Sequence, residues 1–213
     1  MNVAVLASGA GTNLQALLDL VHGREGIEVV AVASDTPDAP ALRRAREAMV
    51  PVASFPLVRF EGRDERDRAI ADWLQSRDAE LVVLAGYMQL LSGAFLEPFA
   101  GRVINVHPAL LPAFPGLHAV EQALAYGVKV FGVTVHFVDE GVDTGPVILQ
   151  RAVSVPQARD PEDVMERLRP IEHELLPEVV RLIATGAVRL DPDNPRRVLI
   201  DGRVASSSGG TFR

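Results

Sequence analysis

The chain contains no cysteine, which removes disulfides, thiol nucleophiles and thiolate metal sites together and suits a reducing compartment. It has no long apolar run either. The longest, such as 81–85, falls far short of the ~20 residues that span a bilayer. No basic segment precedes the first apolar stretch, as a secretory signal would require. A cytoplasmic protein is therefore expected, with no membrane partner. Positive charge is also scarce. With 21 basic residues against 28 acidic ones the net charge is −7, so no broad basic face is available for nucleic acid and an anionic ligand needs a local site. There is no Gly-x-Ser-x-Gly nucleophile elbow and no His-Glu-x-x-His; Glu172-His173-Glu174 lacks a second histidine one turn away. Nothing points to a metal. What remains is 213 residues, 48% hydrophobic and 23% charged, a composition that excludes collagen-like, coiled-coil and disordered chains.

The first half alternates strand and helix patterns. Short β-branched runs at 2–7, 27–33, 50–55, 80–85 and 103–106 are almost continuously apolar, as strands buried on both faces of a parallel sheet are. Helical stretches at 13–21, 41–49 and 64–75 lie between them; the last carries Ile70, Trp73 and Leu74 on one face, flanked by the charges of Glu65, Arg66 and Arg68. This is the pattern of an α/β, doubly wound, mostly parallel sheet with helices on both faces, with ligands beyond the carboxyl ends of its strands. After Asn105 come a proline-rich stretch, a short helix at 119–126 and two strands at 130–138 and 147–155. A long amphipathic helix is expected at 161–184, kinked or broken by Pro170 and Pro177. A weak strand pair around 198–200 precedes a frayed tail at 205–210. There is no internal repeat.

Three segments carry chemistry. Ser8-Gly9-Ala10-Gly11-Thr12-Asn13 follows the first strand and opens a helix. Bare N–H groups and about half a positive charge at a helix start suit a phosphate. Alternatively the glycines only make a tight turn, with Thr12 or Asn13 as helix cap. No Gly-Lys-Ser/Thr follows, and Leu14 stands where a dinucleotide fingerprint has its third glycine, although Asp35 keeps a nicotinamide-nucleotide-binding Rossmann module open as a rival. In the second segment, strand five ends with Asn105 and His107, whose two-residue spacing turns both side chains to one face before Pro108 ends the ladder. In the third, Asp139, Glu140 and Asp143 lie in a glycine-bracketed loop, which is either a solvated acidic turn or the source of a carboxylate that raises a histidine above its usual value of about 6.5. His136, in the strand before it, either faces that site or is simply buried.

Five stretches, 8–16, 83–88, 104–112, 114–118 and 132–148, closely resemble, in order and spacing, the family of folate-dependent glycinamide ribonucleotide formyltransferases. The likeness runs from Met1 to about Ile183. It implies a Rossmann-like formyltransferase fold in residues 1–190, with 191–213 a partly disordered carboxyl-terminal extension.

The resemblance also implies the reaction, formyl transfer from 10-formyltetrahydrofolate to the amine of glycinamide ribonucleotide. Asn105 and His107 would hold the tetrahedral oxyanion and Asp143 would tune His107. The folate is a co-substrate, and no cofactor is tightly bound. Gly11, Thr12 and Asn13 would bind the ribonucleotide phosphate, with Arg169, Pro170, Ile171 and Glu172 at the ribose and glycinamide. Arg63, Met88, Gln89, Leu90 and Leu91 would face the folate, opposite Asp139, Glu140, Gly141, Val142 and Asp143, with Asn105 between. Gln89 departs from the arginine of some members. A monomer or homodimer is implied. The rival within the superfamily is formyltetrahydrofolate hydrolase, expected to carry an extra amino-terminal domain where this chain starts at strand one. Methionyl-tRNA formyltransferase would need a further domain and a basic surface.

Overall fold

The computed structural model describes residues 1–201; the tail expected to fray at 205–210 lies outside them. Strands β1 (Asn2–Leu6), β2 (Glu28–Ser34), β3 (Val52–Ser54), β4 (Leu81–Leu84) and β5 (Val103–His107) pair in parallel in the order β3-β2-β1-β4-β5. Strands β6 (Val130–Phe137) and β7 (Val147–Ser154) extend the sheet antiparallel to β5 and to each other. The hairpin of β8 (Val188–Asp191) and β9 (Asn194–Ile200) completes nine strands, β9 meeting β7 at Val147 and Arg197. The chain is therefore a mixed, mostly parallel α/β fold.

Continuous apolarity in the parallel strands has a direct cause. Along β1, Val3 and Val5 pack into one core, while Ala4 and Leu6 pack into the other, because side chains alternate across a sheet that is covered on both faces. Helices α1 (Thr12–Leu20), α2 (Pro40–Glu47) and α6 (Pro161–Ala184) cover the first face with Leu17, Leu42 and Leu168; α3 (Arg63–Gln75) and α4 (Gly93–Leu96) cover the second with Leu74 and Phe95. A short helix α5 (Ala119–Tyr126) precedes β6. Strand order reverses at β1, whose neighbours are β2 and β4. The crevice beyond the carboxyl ends of β1 and β4 is thus the switch point at which such sheets bind ligands.

Two expectations are corrected. Helix α6 runs unbroken through Pro170 and Pro177. Each interior proline costs about 3 kcal/mol, but Val164, Leu168, Leu175, Leu176, Val179 and Val180 are all at most 1% exposed, and burying each contributes about 1.5–3 kcal/mol. The Asp160 carboxylate also caps the start by accepting from the Asp163 N–H at 2.9 Å. The carboxyl-terminal strand pair begins earlier than the pattern near 198–200 indicated, at Val188, because its residues are largely exposed and carry little apolar signal. Among the described residues, no helix is long and apolar enough to cross a membrane.

Candidate active site

Antiparallel pairing builds the centre of the site. Asn105 stands opposite His136 and His107 opposite Thr134, so the period of two on each strand places four polar side chains in a block on one face. The Thr134 hydroxyl, fully buried, accepts from the Leu111 N–H at 3.1 Å and donates to the Ala109 carbonyl at 2.7 Å, fixing the turn that leaves His107. The loop after β6 returns a carboxylate to this block. Asp143 adopts φ 52°, the left-handed region that aspartate tolerates better than most residues. Gly145 passes so close to the Phe137 carbonyl that an added Cβ would lie 1.8 Å from its oxygen.

Asp143 joins the group together. Its Oδ2 accepts from the Gly116 N–H at 2.7 Å and lies 3.3 Å from His107 Nδ1. Its Oδ1 accepts from the Asn105 amide at 3.2 Å and lies 3.5 Å from His136 Nε2. Burial alone would push this carboxyl up. Hydrogen bonding with His136, the Gly116 N–H and the charges of His107 and His136 outweigh burial and hold it down at about 2. His107 Nε2 lies 2.9 Å from the Phe114 carbonyl. Both ring nitrogens therefore face oxygens that only accept, an arrangement satisfied in full by the doubly protonated ring.

His136 is both buried and part of the site. Its Nδ1 is 2.7 Å from the Phe137 carbonyl, and its Nε2 is 3.2 Å from the Asn105 amide nitrogen. Neutral, Nε2 accepts from Asn105; charged, it donates to Asp143. The sequence leaves open whether it faces the site or is buried, and assigns it no catalytic or binding role. A usable signal was present: Thr134 and His136 repeat, in an otherwise apolar strand, the two-residue polar spacing of Asn105 and His107.

These groups open on a cavity of about 870 Å³, large enough for a drug-sized ligand and part of a second. Met88, Gln89, Leu90 and Leu91 line one wall, and Asp139, Glu140, Gly141 and Val142 line another, with Arg63 exposed at the rim. Asn13 and Glu172 also line it, joined by the Asn13 amide donating to Glu172 Oε2 at 3.1 Å. Burial pushes the Glu172 carboxyl up, against the opposing pull of that hydrogen bond and of Arg169. The remaining ribonucleotide candidates lie outside this cavity. Thr12 borders a smaller hollow with Arg44 and His173, Arg169 pairs with Glu162 at 2.6 Å, Pro170 is exposed, and Ile171 packs on the core. Asp35, which a nicotinamide reading needs, does not line the cavity either.

Gly11 is the residue before α1, with φ 71°, and a Cβ there would lie 2.7 Å from Ala41. Only glycine fits that turn. No side chain caps the helix, so neither Thr12 nor Asn13 takes the capping role. Arg66 departs from its reading as a flanking charge. It is 1% exposed, with Asp67 0% exposed beside it beneath the wall at 88–92. Helical periodicity alone gave no signal for this, since two adjacent charges on an amphipathic helix ordinarily face water.

A doubly wound sheet that gathers an amide, an imidazole and a carboxylate at its switch-point crevice is the architecture of a Rossmann-like formyl transferase, and the family model "Formyl transferase" matches residues 1–180. The chain is 40% identical over 208 residues to phosphoribosylglycinamide formyltransferase of Haemophilus influenzae, covering 97% of each, and 47% identical over 186 residues to that of Mycobacterium tuberculosis, covering 87% of this chain and 86% of the relative. Its fold superposes on the crystal structure of glycinamide ribonucleotide transformylase 1 from Symbiobacterium toebii with a TM-score of 0.90 at 47% identity, covering 94% of this chain and 93% of that one. The chain belongs to the formyl transferase family, among the phosphoribosylglycinamide formyltransferases.

Proposed function

We propose that this chain moves the formyl group of 10-formyltetrahydrofolate onto the amine of glycinamide ribonucleotide, a step of de novo purine biosynthesis. The observation that carries the reading is Asp143, whose two oxygens bridge Asn105 at 3.2 Å and His107 at 3.3 Å in the lining of the cavity. The irregular wall at 88–91, facing 139–142, takes the flat pterin, with Arg63 at the rim. The N–H groups at the start of α1 take the phosphate. Glu172 accepts from ribose hydroxyls, and Arg169, with Pro170 and Ile171 on the same helix, adds positive potential nearby.

The neutral amine attacks the formyl carbon, and the carbonyl oxygen gains negative charge. Asn105 and the His107 imidazolium stabilise that oxyanion, His107 donating once one of its N–H groups turns from the Phe114 carbonyl or Asp143 to the substrate, a form of stabilisation worth about 10²–10³ in rate per donor. As the bond from carbon to the folate nitrogen breaks, that nitrogen takes a proton from His107, and the attacking nitrogen releases one to water beside Asp143, from which His107 regains its proton. Asp143, whose carboxyl is held down at about 2 and is therefore ionised at neutral pH, keeps His107 oriented. The sequence match, which ends at residue 180, supports taking residues 1–190 as the catalytic unit. The test is release of tetrahydrofolate with and without glycinamide ribonucleotide, followed by absorbance and product mass. Transfer that depends on the ribonucleotide and is lost in His107→Ala supports the reading. Equal folate release without it means that water is the acceptor and refutes the reading.

A further inference from the structure

The wall at 88–92 is attached to the molecule in an unusual way. Among the described residues, no backbone-to-backbone hydrogen bond is made by Tyr87 through Leu91. Side chains hold the segment instead. Ser8 Oγ accepts from the Met88 N–H at 2.9 Å. The Asp67 carboxylate accepts from the Ser92 N–H at 2.7 Å. Arg66 donates to the Leu90 carbonyl at 3.3 Å and to Gln89 Oε1 at 3.2 Å. Asp67 in turn fixes the guanidinium with two contacts, of 2.8 and 2.6 Å.

A buried ion pair is weak evidence for stability, since well-packed apolar residues often do as well; its best-attested use is to specify one arrangement. Here the arrangement has a direction. Arginine has five donors and no acceptor, so the oxygen of the Gln89 amide must turn toward Arg66, and the NH2 end is left for the cavity that Gln89 lines. A leucine at position 66 could fill the space but would set neither the amide nor the Leu90 carbonyl.

We infer that Arg66 and Asp67 are positioning residues for the folate co-substrate: they fix the main chain of the wall and aim the Gln89 amide nitrogen at a hydrogen-bond acceptor of that co-substrate. The inference rests on the formyl-transfer reading for the identity of the ligand. It separates binding of the folate from binding of the ribonucleotide, because Asn13 and Glu172, which also line the cavity, have no contact with the pair.

Arg66→Met would leave the Asp67 carboxylate buried without its countercharge and endanger folding, so Arg66→Lys is the informative variant. An ammonium keeps the charge beside Asp67 but cannot fork to Gln89 and Leu90 as well. The KM for 10-formyltetrahydrofolate should rise about tenfold, the loss of roughly one charge-assisted hydrogen bond. The KM for the ribonucleotide, kcat and the melting temperature should stay near those of the parent. Gln89→Leu should raise the folate KM as well, and the double variant should be little worse than Arg66→Lys alone. An unchanged folate KM in Arg66→Lys overturns the inference, as do equal rises for both substrates or fully additive effects with Gln89→Leu. Should the parent enzyme transfer no formyl group, the proposed function fails, and calorimetric titration with tetrahydrofolate decides this point alone. Weaker binding by Arg66→Lys upholds the positioning role, whereas equal binding, or no binding by the parent, refutes it.

Discussion

Replacing Asp143 by asparagine tests the centre of the site in two independent ways. The carboxylate accepts from the Gly116 N–H and the Asn105 amide and faces both His107 and His136. An asparagine must turn its NH2 group toward one of these, placing a donor against a donor. Turnover should fall by about 10²- to 10⁴-fold, the usual range for loss of acid–base function. The second effect concerns stability. The folded chain holds this carboxyl near 2, against an ordinary value of 3.8. That difference corresponds to about 2 kcal/mol of folding free energy, since the side chain is only 13% exposed. A carboxyl whose value is lowered by folding contributes in full above its unfolded value, and the contribution disappears as pH falls through its folded value. The stabilisation is therefore intact at neutral pH and lost between about pH 4 and pH 2. Urea unfolding of the parent and Asp143→Asn, followed by circular dichroism at steps from pH 6 to pH 2, isolates this contribution because every other carboxyl is common to both. The stability gap should shrink by about 2 kcal/mol on acidification. A gap that does not change with pH would show that the carboxylate is not held by charged and donating partners in the folded chain.

Other perturbations have equally direct outcomes. Gly11→Ala forces a side chain into a position with φ 71° and a clash at 2.7 Å with Ala41; stability should drop by about 1–2 kcal/mol or more in a thermal melt, with a raised KM for the ribonucleotide. Glu172→Gln removes a carboxyl that burial pushes up. Such a group penalises the folded state only as pH rises above its unfolded value of 4.5, so the variant should gain stability relative to the parent from pH 4 toward pH 7 while binding the ribonucleotide less well. Thr134→Val deletes the hydroxyl that holds the turn after His107; unfolding assays should register a loss of about 1–3 kcal/mol, and kcat should fall with little change in either KM.

The parts of this molecule that were legible in the sequence are those whose cause is local. Leu81 to Leu84 are apolar without interruption because both faces of β4 are covered, and that run marks a buried parallel strand by itself. Asn105 and His107 share a face by the two-residue period of any strand. The glycine at position 11 announces a turn before a helix. What stayed hidden depends on pairing between distant segments. His136 enters the site because β6 pairs with β5 in the register that sets it opposite Asn105, and that register is written in neither strand alone. Arg66 and Asp67 look like surface charges of an amphipathic helix until the segment at 88–92 folds over them. Pro170 and Pro177 read as kinks or breaks, and no break appears because the apolar burial that holds α6 together is supplied by the rest of the fold.

The hydrogen bond between Asn13 and Glu172 joins residues 159 positions apart. It has a consequence for the chain as it is made. A ribosome delivers the turn before α1 ahead of α6, so strands β1 to β7 are synthesised before Asn13 can meet Glu172. Until then Asn13 has no acceptor in Glu172, and the core face of α1 lacks the helix that covers it. A chain interrupted between residues 155 and 171 would keep β5, which carries Asn105 and His107, together with its sheet neighbours β4 and β6, yet lack Glu172 and with it the partner of Asn13, so the centre of the site is synthesised well before its lining is complete.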